Sequence, residues 1–435
     1  MSEPIWKKSA SAAVPDAVMR FLAGQDVILD RELLPFDIRA SRAHARGLAR
    51  IGLLSDEQAG AIGRELDALA EAFAAGEFEL DERFEDGHSA IETWLTERLG
   101  ETGKRIHAGR SRNDQVAVAL RLYLLDRLDR LREIALAIAD VALDRAERER
   151  DVPLPGHTHL QQAMPSSLGL WWAGHAEAFV DNAELAVCMH EHLNACPLGT
   201  ASGFGVNLDL DRDGVARELG FDRLVINPQN AQAQRGKAEL RALDALSAAT
   251  GDLRRLAWDL SLFASQEFGF ARVPDAFCTG SSIMPNKHNP DAVELLRALH
   301  ATVIGARAEL EAVLSLPSGY QRDLQDTKPP VLRAFARGLE GLALVPGLLA
   351  GLDWHRERMA AAVTPAQFAT DRANELVADG LSFREAYRKV GDELASLEQR
   401  SPEDSLVARV SLGGCGNLGL DRIRARWAAL ERNED

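Results

Sequence analysis

The chain has 435 residues, 46% hydrophobic and 27% charged, with a formal net charge of −16. That length holds two or three domains and a large core, and the acidic balance excludes a general nucleic-acid binder. The four cysteines (Cys188, Cys196, Cys278 and Cys415) show neither metal-type spacing nor a disulfide framework. No stretch approaches the ~20 apolar residues that span a bilayer, and the opening MSEPIWKKSA has no apolar core of signal-peptide length. The expectation is a cytoplasmic protein with free thiols, no metal, and neither nucleic acid nor membrane as a partner.

Residues 1–108 read as a mainly helical domain of short elements. PDAVMRFLAG suits a short helix, and a charged helix is expected around Asp30–Leu53. SDEQAGAIGRELDALAEAFAAG carries Ser55 and Gly76 at its ends, where a cap and a helix stop belong. His88, in EDGHSAIETWLTERLG, falls at the start of another helix, where local polar groups ordinarily hold a histidine.

From Asn113 to Asp151 the chain runs without Gly or Pro and carries leucine and valine on more than one face. Such a helix is ~55 Å long. Four more long helices are expected at 166–195, 236–268, 290–315 and 330–351, and none alternates like a half-buried strand. Helices apolar on several faces must be buried on several sides. The fold class is therefore all-α: a central bundle of five long helices over 109–355, shared between subunits. It is flanked by the 1–108 domain and by a small helical domain over 356–435. In the latter SLGGCGNLGL is a glycine-rich turn before a final helix and the tail ERNED.

Four polar stretches each lie just before a long helix. GRSRNDQ at 109–115 sets Arg110, Ser111, Arg112 and Asn113 at the first. Arginine forks bind carboxylates bidentately, and a helix start adds unpaired N–H donors. The same residues also suit a plain cap by Ser111 or Asn113 beside solvated arginines. GHTHLQQAMP at 156–165 is expected to lead into the second helix, with Pro165 near its start. His157 and His159 have no HExxH pattern around them, which argues against a metal pair. His159 with Thr158 fits proton transfer, since imidazole titrates near neutrality.

GSSIMPNKHNP at 280–290 places the hydroxyls of Ser281 and Ser282 after a glycine and adds the cation of Lys287. Asn289 is expected at the N-cap and Pro290 at the first helical position. Hydroxyls, a cation and a helix N-terminus suit a carboxylate or phosphate; a capped connection between helices is the alternative. SGYQRDLQDTK at 318–328 offers a hydroxyl, an amide and a cation from Tyr320, Gln325 and Lys328, a weak signal by itself.

Together these stretches carry a resemblance. GSSxMPxKxNP resembles the signature loop of the fumarase, aspartase and argininosuccinate lyase superfamily. With GRSRNDQ, THLQxAxP and YxxDLQxxK the chain is similar to the argininosuccinate lyases in particular. The likeness covers nearly the whole chain, including EDGHSAIE, the PLG at 197–199, FATDRANELV and GLSFREAYRKVG.

The resemblance implies cleavage of argininosuccinate to arginine and fumarate, without a cofactor, by a homotetramer with composite sites. Removing a proton beside a carboxylate creates a doubly charged aci-carboxylate that needs preorganised stabilisation. The resemblance makes Ser281 the base, with Lys287 and Asn289 holding the carboxylate where charge develops. It makes His159, oriented by Glu294 and working with Thr158 or water, the matching proton donor. Arg112, Asn113, Tyr320, Gln325, Lys328 and His88 map onto substrate contacts, as do Ser111 and Ser282 within the matched motifs. Topology agrees with sharing. If the five helices run up and down, successive N-termini lie ~35–50 Å apart for helices of about 25–35 residues. GRSRNDQ then cannot meet THLQ and the 280–290 loop within one monomer.

Three places depart from the family pattern. PIWKKS stands where LWGGRF is usual, Asp26 falls near an expected serine, and AQAQRGKAE retains Arg235 but has Gly236 where an aspartate is expected. These departures leave the elimination chemistry intact and open the amine half of the substrate. The alternatives are a superfamily lyase acting on another N-substituted succinate, and a non-catalytic structural relative like those of the eye lens. The second needs damage at Ser281, His159, Lys287 or Glu294, and none is damaged.

Overall fold

The structure is a computed structural model and describes residues 15–432. PIWKKS and the last three residues of the ERNED tail lie outside the described residues. Two compact units emerge. The first takes the chain to Arg130, Ala186–Ala245 and Val303–Ala336; the second takes Leu131–Leu185, Leu246–Thr302 and the chain from Arg337.

Helices dominate both units. The five long ones are Arg112–Arg148, Leu168–Leu193, Lys237–Phe263, Asp291–Val313 and Lys328–Ala350, and each has residues in both units. The expected long helices are therefore present, with ends moved by up to five residues. Among the described residues no helix is long and apolar enough to cross a membrane. No group of three or more His, Cys, Asp or Glu among them could hold a metal ion.

In the first unit three helices, Asp26–Arg50, Asp56–Ala74 and Gly87–Leu99, pack around Leu34, Ile38, Leu48, Ile62, Leu66, Leu69, Ile91 and Leu95. Two of them start with reciprocal caps. Ser55 Oγ accepts from Gln58 N at 3.2 Å while Gln58 Oε1 accepts from Ser55 N at 3.0 Å. Asp86 Oδ1 accepts from Ser89 N at 2.7 Å while Ser89 Oγ accepts from Asp86 N at 3.1 Å. Such boxes satisfy helix donors that have no partner within the helix.

The Arg112–Arg148 helix begins in a similar way. Ser111 N donates to Asp114 Oδ1 at 2.8 Å, and Asn113 N donates to Ser111 Oγ at 3.3 Å. The second oxygen of Asp114 accepts from Gly199 N (3.0 Å) and Ala201 N (2.8 Å), which pins the PLG segment to this helix start. Arg121 is buried and donates to the carbonyls of Leu193 (2.8 Å) and Ala195 (3.2 Å) and to Gln234 Oε1 (2.9 Å).

The second unit corrects one expectation. GHTHLQQAMP does not run straight into a helix: Pro153–Thr158 and Gln161–Ser167 pair as an antiparallel hairpin, and the helix starts at Leu168. Pro155 and Pro165 face each other in the ladder. A two-stranded ribbon tolerates this because both strands are edges, where a missing donor faces no neighbour. Ser167 Oγ accepts from Leu170 N at 3.1 Å and so caps the delayed helix. Elsewhere in this unit Trp171, Trp172, Phe263 and Trp354 meet edge to face, and Trp172 Nε1 donates to the buried Glu149 at 2.7 Å. The final helix, Leu420–Glu431, follows Gly419 at φ 67°. Arg426 anchors it to Asp181 and Glu184, and Trp427 Nε1 donates to the carbonyl of Leu136.

Gly236 has a structural reason. Its φ is +78°, and a Cβ there would sit 2.3 Å from Leu314 Cδ2 and 3.2 Å from Thr327 Cγ2. Any other residue is strained in backbone and crowded in side chain. Gly236→Asp, which restores the residue the resemblance expects, should lower stability by about 1–3 kcal/mol in urea titration. An unchanged unfolding midpoint would show that this turn does not need glycine.

Candidate active site

In the first unit the polar residues converge on the Asp26–Arg50 helix. Asp30 and Asp37 are seven residues apart, two helical turns, and so share one face. Asp30 Oδ2 accepts from Gly87 N at 2.9 Å, fixing the start of the next helix. Asp30 Oδ1 lies 2.8 Å from Lys328 Nζ, and Asp26 Oδ1 lies 2.6 Å from the same nitrogen. Lys328 is the first residue of its helix, followed by Pro329 and Pro330 in the first turn, where missing N–H groups cost nothing. Its ammonium is buried, and two carboxylates hold it there. Burial opposes that charge, and Asp30 and Asp26 outweigh the penalty, so the Lys328 pKa is raised. Burial likewise raises the pKa of Asp26, against the pull of Lys328.

His88 directly follows Gly87, whose N–H is held by Asp30. Its Nδ1 is 2.5 Å from Asp37 Oδ2, with both side chains buried. Burial opposes the imidazolium, and the Asp37, Asp86 and Asp30 carboxylates more than offset it, so the pKa is raised above 6.5. Arg112 Nη1 reaches Glu85 Oε1 at 3.0 Å and Asp86 Oδ2 at 3.2 Å. Burial works against the Asp86 carboxylate, but His88, Arg112 and the Ser89 cap hold its pKa below 3.8. Its stabilising contribution is therefore present above 3.8 and is lost as pH falls through the lowered value.

Ser111 and Asn113 are half-buried at the helix start. Tyr320 is half-buried beside Gly319 at φ 85°, and Gln325 Nε2 donates to the carbonyl of Leu22 at 3.1 Å. Arg110 is buried and donates to Ser41 Oγ at 2.9 Å.

The second unit holds the other group. Thr279–Gly280 and His288–Asn289 pair as a two-residue ribbon, Thr279 opposite Asn289 and Gly280 opposite His288, and residues 282–287 stand exposed beyond it. The helix begins at Asp291, with Glu294 N donating to the carbonyl of Pro290 at 3.2 Å. Asn289 thus belongs to the ribbon and Pro290 is the cap, one position later than expected. Ser281 Oγ accepts from Ile283 N (3.3 Å) and Met284 N (3.1 Å). Lys287 and Ser282 are exposed on the same loop. A cavity of about 790 Å³ lies beside the ribbon, lined by Cys278, Asn286, His288, Pro290 and Arg272 among others.

His159 and Leu160 form the two-residue turn of the hairpin at φ 56° and 57°. A tight turn that matches strand twist needs positive φ at both central residues, and non-glycine residues rarely take it. His159 and Thr158 are exposed at the tip, and Thr158 borders a cavity of about 1000 Å³ with His157, Phe368 and Arg409. Glu294 is exposed and pairs with Arg297 at 3.9 Å; neither it nor Ser281 bonds to His159 within the chain.

The structure thus gathers His88, Ser111, Arg112, Asn113, Tyr320, Gln325 and Lys328 in one unit, and Thr158, His159, Ser281, Ser282, Lys287, Asn289 and Glu294 in the other. Sequence reasoning missed Asp30, Asp37, Glu85 and Asp86. The seven-residue spacing of the first two was the available signal.

A family model described as lyase matches residues 13–305. An argininosuccinate lyase of Stenotrophomonas maltophilia (strain R551-3) is 55% identical over 431 residues, covering 99% of this chain and 100% of that protein. One from Xanthomonas campestris pv. campestris (strain B100) is 54% identical over 432 residues, with the same coverage. Among solved structures, EDDS lyase in complex with formate has a TM-score of 0.81 at 23% identity, covering 97% of this chain and 91% of that one. A class II fumarase from Schistosoma mansoni has a TM-score of 0.70 at 16% identity, with 88% and 94% covered. The fold and the family match define the class, a helical carbon–nitrogen lyase. At 53–55% identity over full length, the chain belongs to the argininosuccinate lyase family.

Lys328→Met should leave the buried Asp30 with only the Gly87 N–H and the half-buried Asp26 without its cation, and cost about 3–5 kcal/mol. Asp26→Ser keeps the Asp30 pair and should cost clearly less. Urea unfolding of both variants checks the order, and equal losses would show that Asp26 and Asp30 are not held by this lysine.

Proposed function

We propose that the chain eliminates fumarate from argininosuccinate to leave arginine, or runs the reverse condensation, as a cytoplasmic homotetramer of arginine biosynthesis. No cofactor takes part. The observation that carries this reading is Ser281. Its hydroxyl oxygen accepts from two backbone N–H groups in a loop that also bears Lys287 and ends at a helix N-terminus. Donors aimed at an oxygen favour its anionic form, which suits a serine that must take a proton.

Ser281 removes the proton beside the carboxylate. Lys287, Asn289 and Ser282 stabilise the aci-carboxylate where its charge develops, in the way a preorganised oxyanion site does. His159 supplies the proton that the leaving guanidine needs, with Thr158 beside it and Glu294 orienting the ring. Arg112, Asn113 and Ser111 take substrate carboxylates, while Tyr320 and Gln325 face the remaining polar atoms, with His88 alongside and Lys328 binding substrate by way of the buried cluster it forms with Asp26 and Asp30. The two groups of side chains lie in different units, and in the proposed tetramer neighbouring subunits bring them together around a shared core of the five long helices. Residues 1–108, 109–355 and 356–435 act as the N-terminal, central and C-terminal domains of that assembly. A second reading, elimination from another N-substituted succinate, gains support from Asp26, which occupies the ammonium of Lys328 where a serine would not.

Fumarate release, followed by its ultraviolet absorbance, should occur with argininosuccinate and not with adenylosuccinate or aspartate. The reverse preference would favour the second reading. Ser281→Ala and His159→Ala should each lower kcat by roughly 10²–10⁴-fold. Mixed and reassembled, Ser281→Ala and Asn113→Ala proteins, each altered in a different group, should regain activity as hybrid tetramers. No recovery in any mixture would place both residues in the same chain's contribution to a site.

A further inference from the structure

Asp37 is absent from the roles above, yet it makes the tightest side-chain contact to His88. Their side chains are 3% and 8% exposed, and Asp37 Oδ2 lies 2.5 Å from His88 Nδ1. The far ring nitrogen, Nε2, is buried and has no partner, and neither has Asp37 Oδ1. A buried polar atom left without a partner costs ~1–3 kcal/mol, so this nitrogen is placed for an acceptor that the chain itself does not supply.

The neighbouring carboxylates do not fill that place. Asp30 is taken by Lys328 Nζ and Gly87 N. Asp86 is taken by Ser89 N and Arg112. Other charged or titratable groups face the ring: Asp86 on its own helix cap, Asp30 on the Asp26–Arg50 helix, and His107 from the Arg105–His107 turn. Arg110 and Arg112 stand at the start of the 112–148 helix, where Arg110 also feels the Asp37 charge. A carboxylate at Nδ1 fixes that nitrogen as a donor and sets which nitrogen is left to bind.

We propose that Asp37 is a positioning residue that holds His88 protonated on both nitrogens, so that Nε2–H donates to a carboxylate oxygen of the dicarboxylate substrate. This rests on the fumarate-releasing function proposed above. The acidic surroundings support it: burial opposes the charge on His88, and the surrounding carboxylates raise its pKa nonetheless.

Three variants test this: Asp37→Asn, which keeps an acceptor but removes the charge, His88→Gln, and the double variant. In the unmodified protein the alkaline limb of kcat/KM should follow His88. In Asp37→Asn that limb should move to lower pH by about one unit or more, with kcat/KM down about tenfold or more near pH 8 and most of the loss in KM. The double variant should be no worse than His88→Gln alone, since the two residues act as one. A parallel loss at every pH, or additive losses, would overturn the proposal.

A second measurement does not depend on turnover. Because the His88 pKa is raised, the pair's contribution to stability is present below about 6.5 and is lost as pH rises through the folded value. The Tm deficit of Asp37→Asn should therefore be larger near pH 6 than near pH 9, and a pH-independent deficit counts against the charged pair. If the unmodified protein releases fumarate from argininosuccinate but the limb stays put, this inference alone fails. If it releases none, the functional reading fails and the pH dependence of Tm still decides the pairing.

Discussion

Two carboxylates on one face of the Asp26–Arg50 helix tie the first unit together. Asp30 holds the start of the Gly87–Leu99 helix through a backbone N–H and the start of the Lys328–Ala350 helix through an ammonium. Asp37, two turns on, holds His88. Taking a carboxylate out of water costs several kcal/mol, and only good geometry with further hydrogen bonds offsets it. Three elements distant in sequence are thus fixed in register by groups that are stable only when all the partners arrive. The same groups give the site its charge, so folding and electrostatic preparation of the site are one event here.

The loop of Ser281 follows the opposite logic. A ribbon of two residues on each side and a few bonds within the loop hold it, and residues 282–287 stand in solvent. In the proposed function, rigid charges in one unit position the substrate and the lightly held loop in the other removes the proton.

Much of this was legible in the residues. The long helices were, because an uninterrupted run such as 113–151 with leucine on several faces has one good solution. The helix after the 280–290 loop was, because Asn289 and Pro290 mark a helix start just before an apolar-periodic run. The hairpin was not: its turn uses His159 and Leu160 where asparagine or glycine usually signals positive φ, and its strands contain three prolines. The cap at Pro290 was misplaced because a two-residue ribbon has no periodicity to read. Asp30 and Asp37 passed unnoticed because a carboxylate on a helix rich in arginine looks solvated until its tertiary partners are known.

The hairpin has an evolutionary consequence. Thr158 pairs with Gln161 across a turn of only two residues, so the direction of the His159 imidazole is set by the chain length between two fixed strands. Point substitutions along the ribbon leave that direction alone. An insertion or deletion of one residue turns every following side chain to the other face. Lineages that keep the imidazole should therefore vary freely in composition along this ribbon while remaining constant in its length.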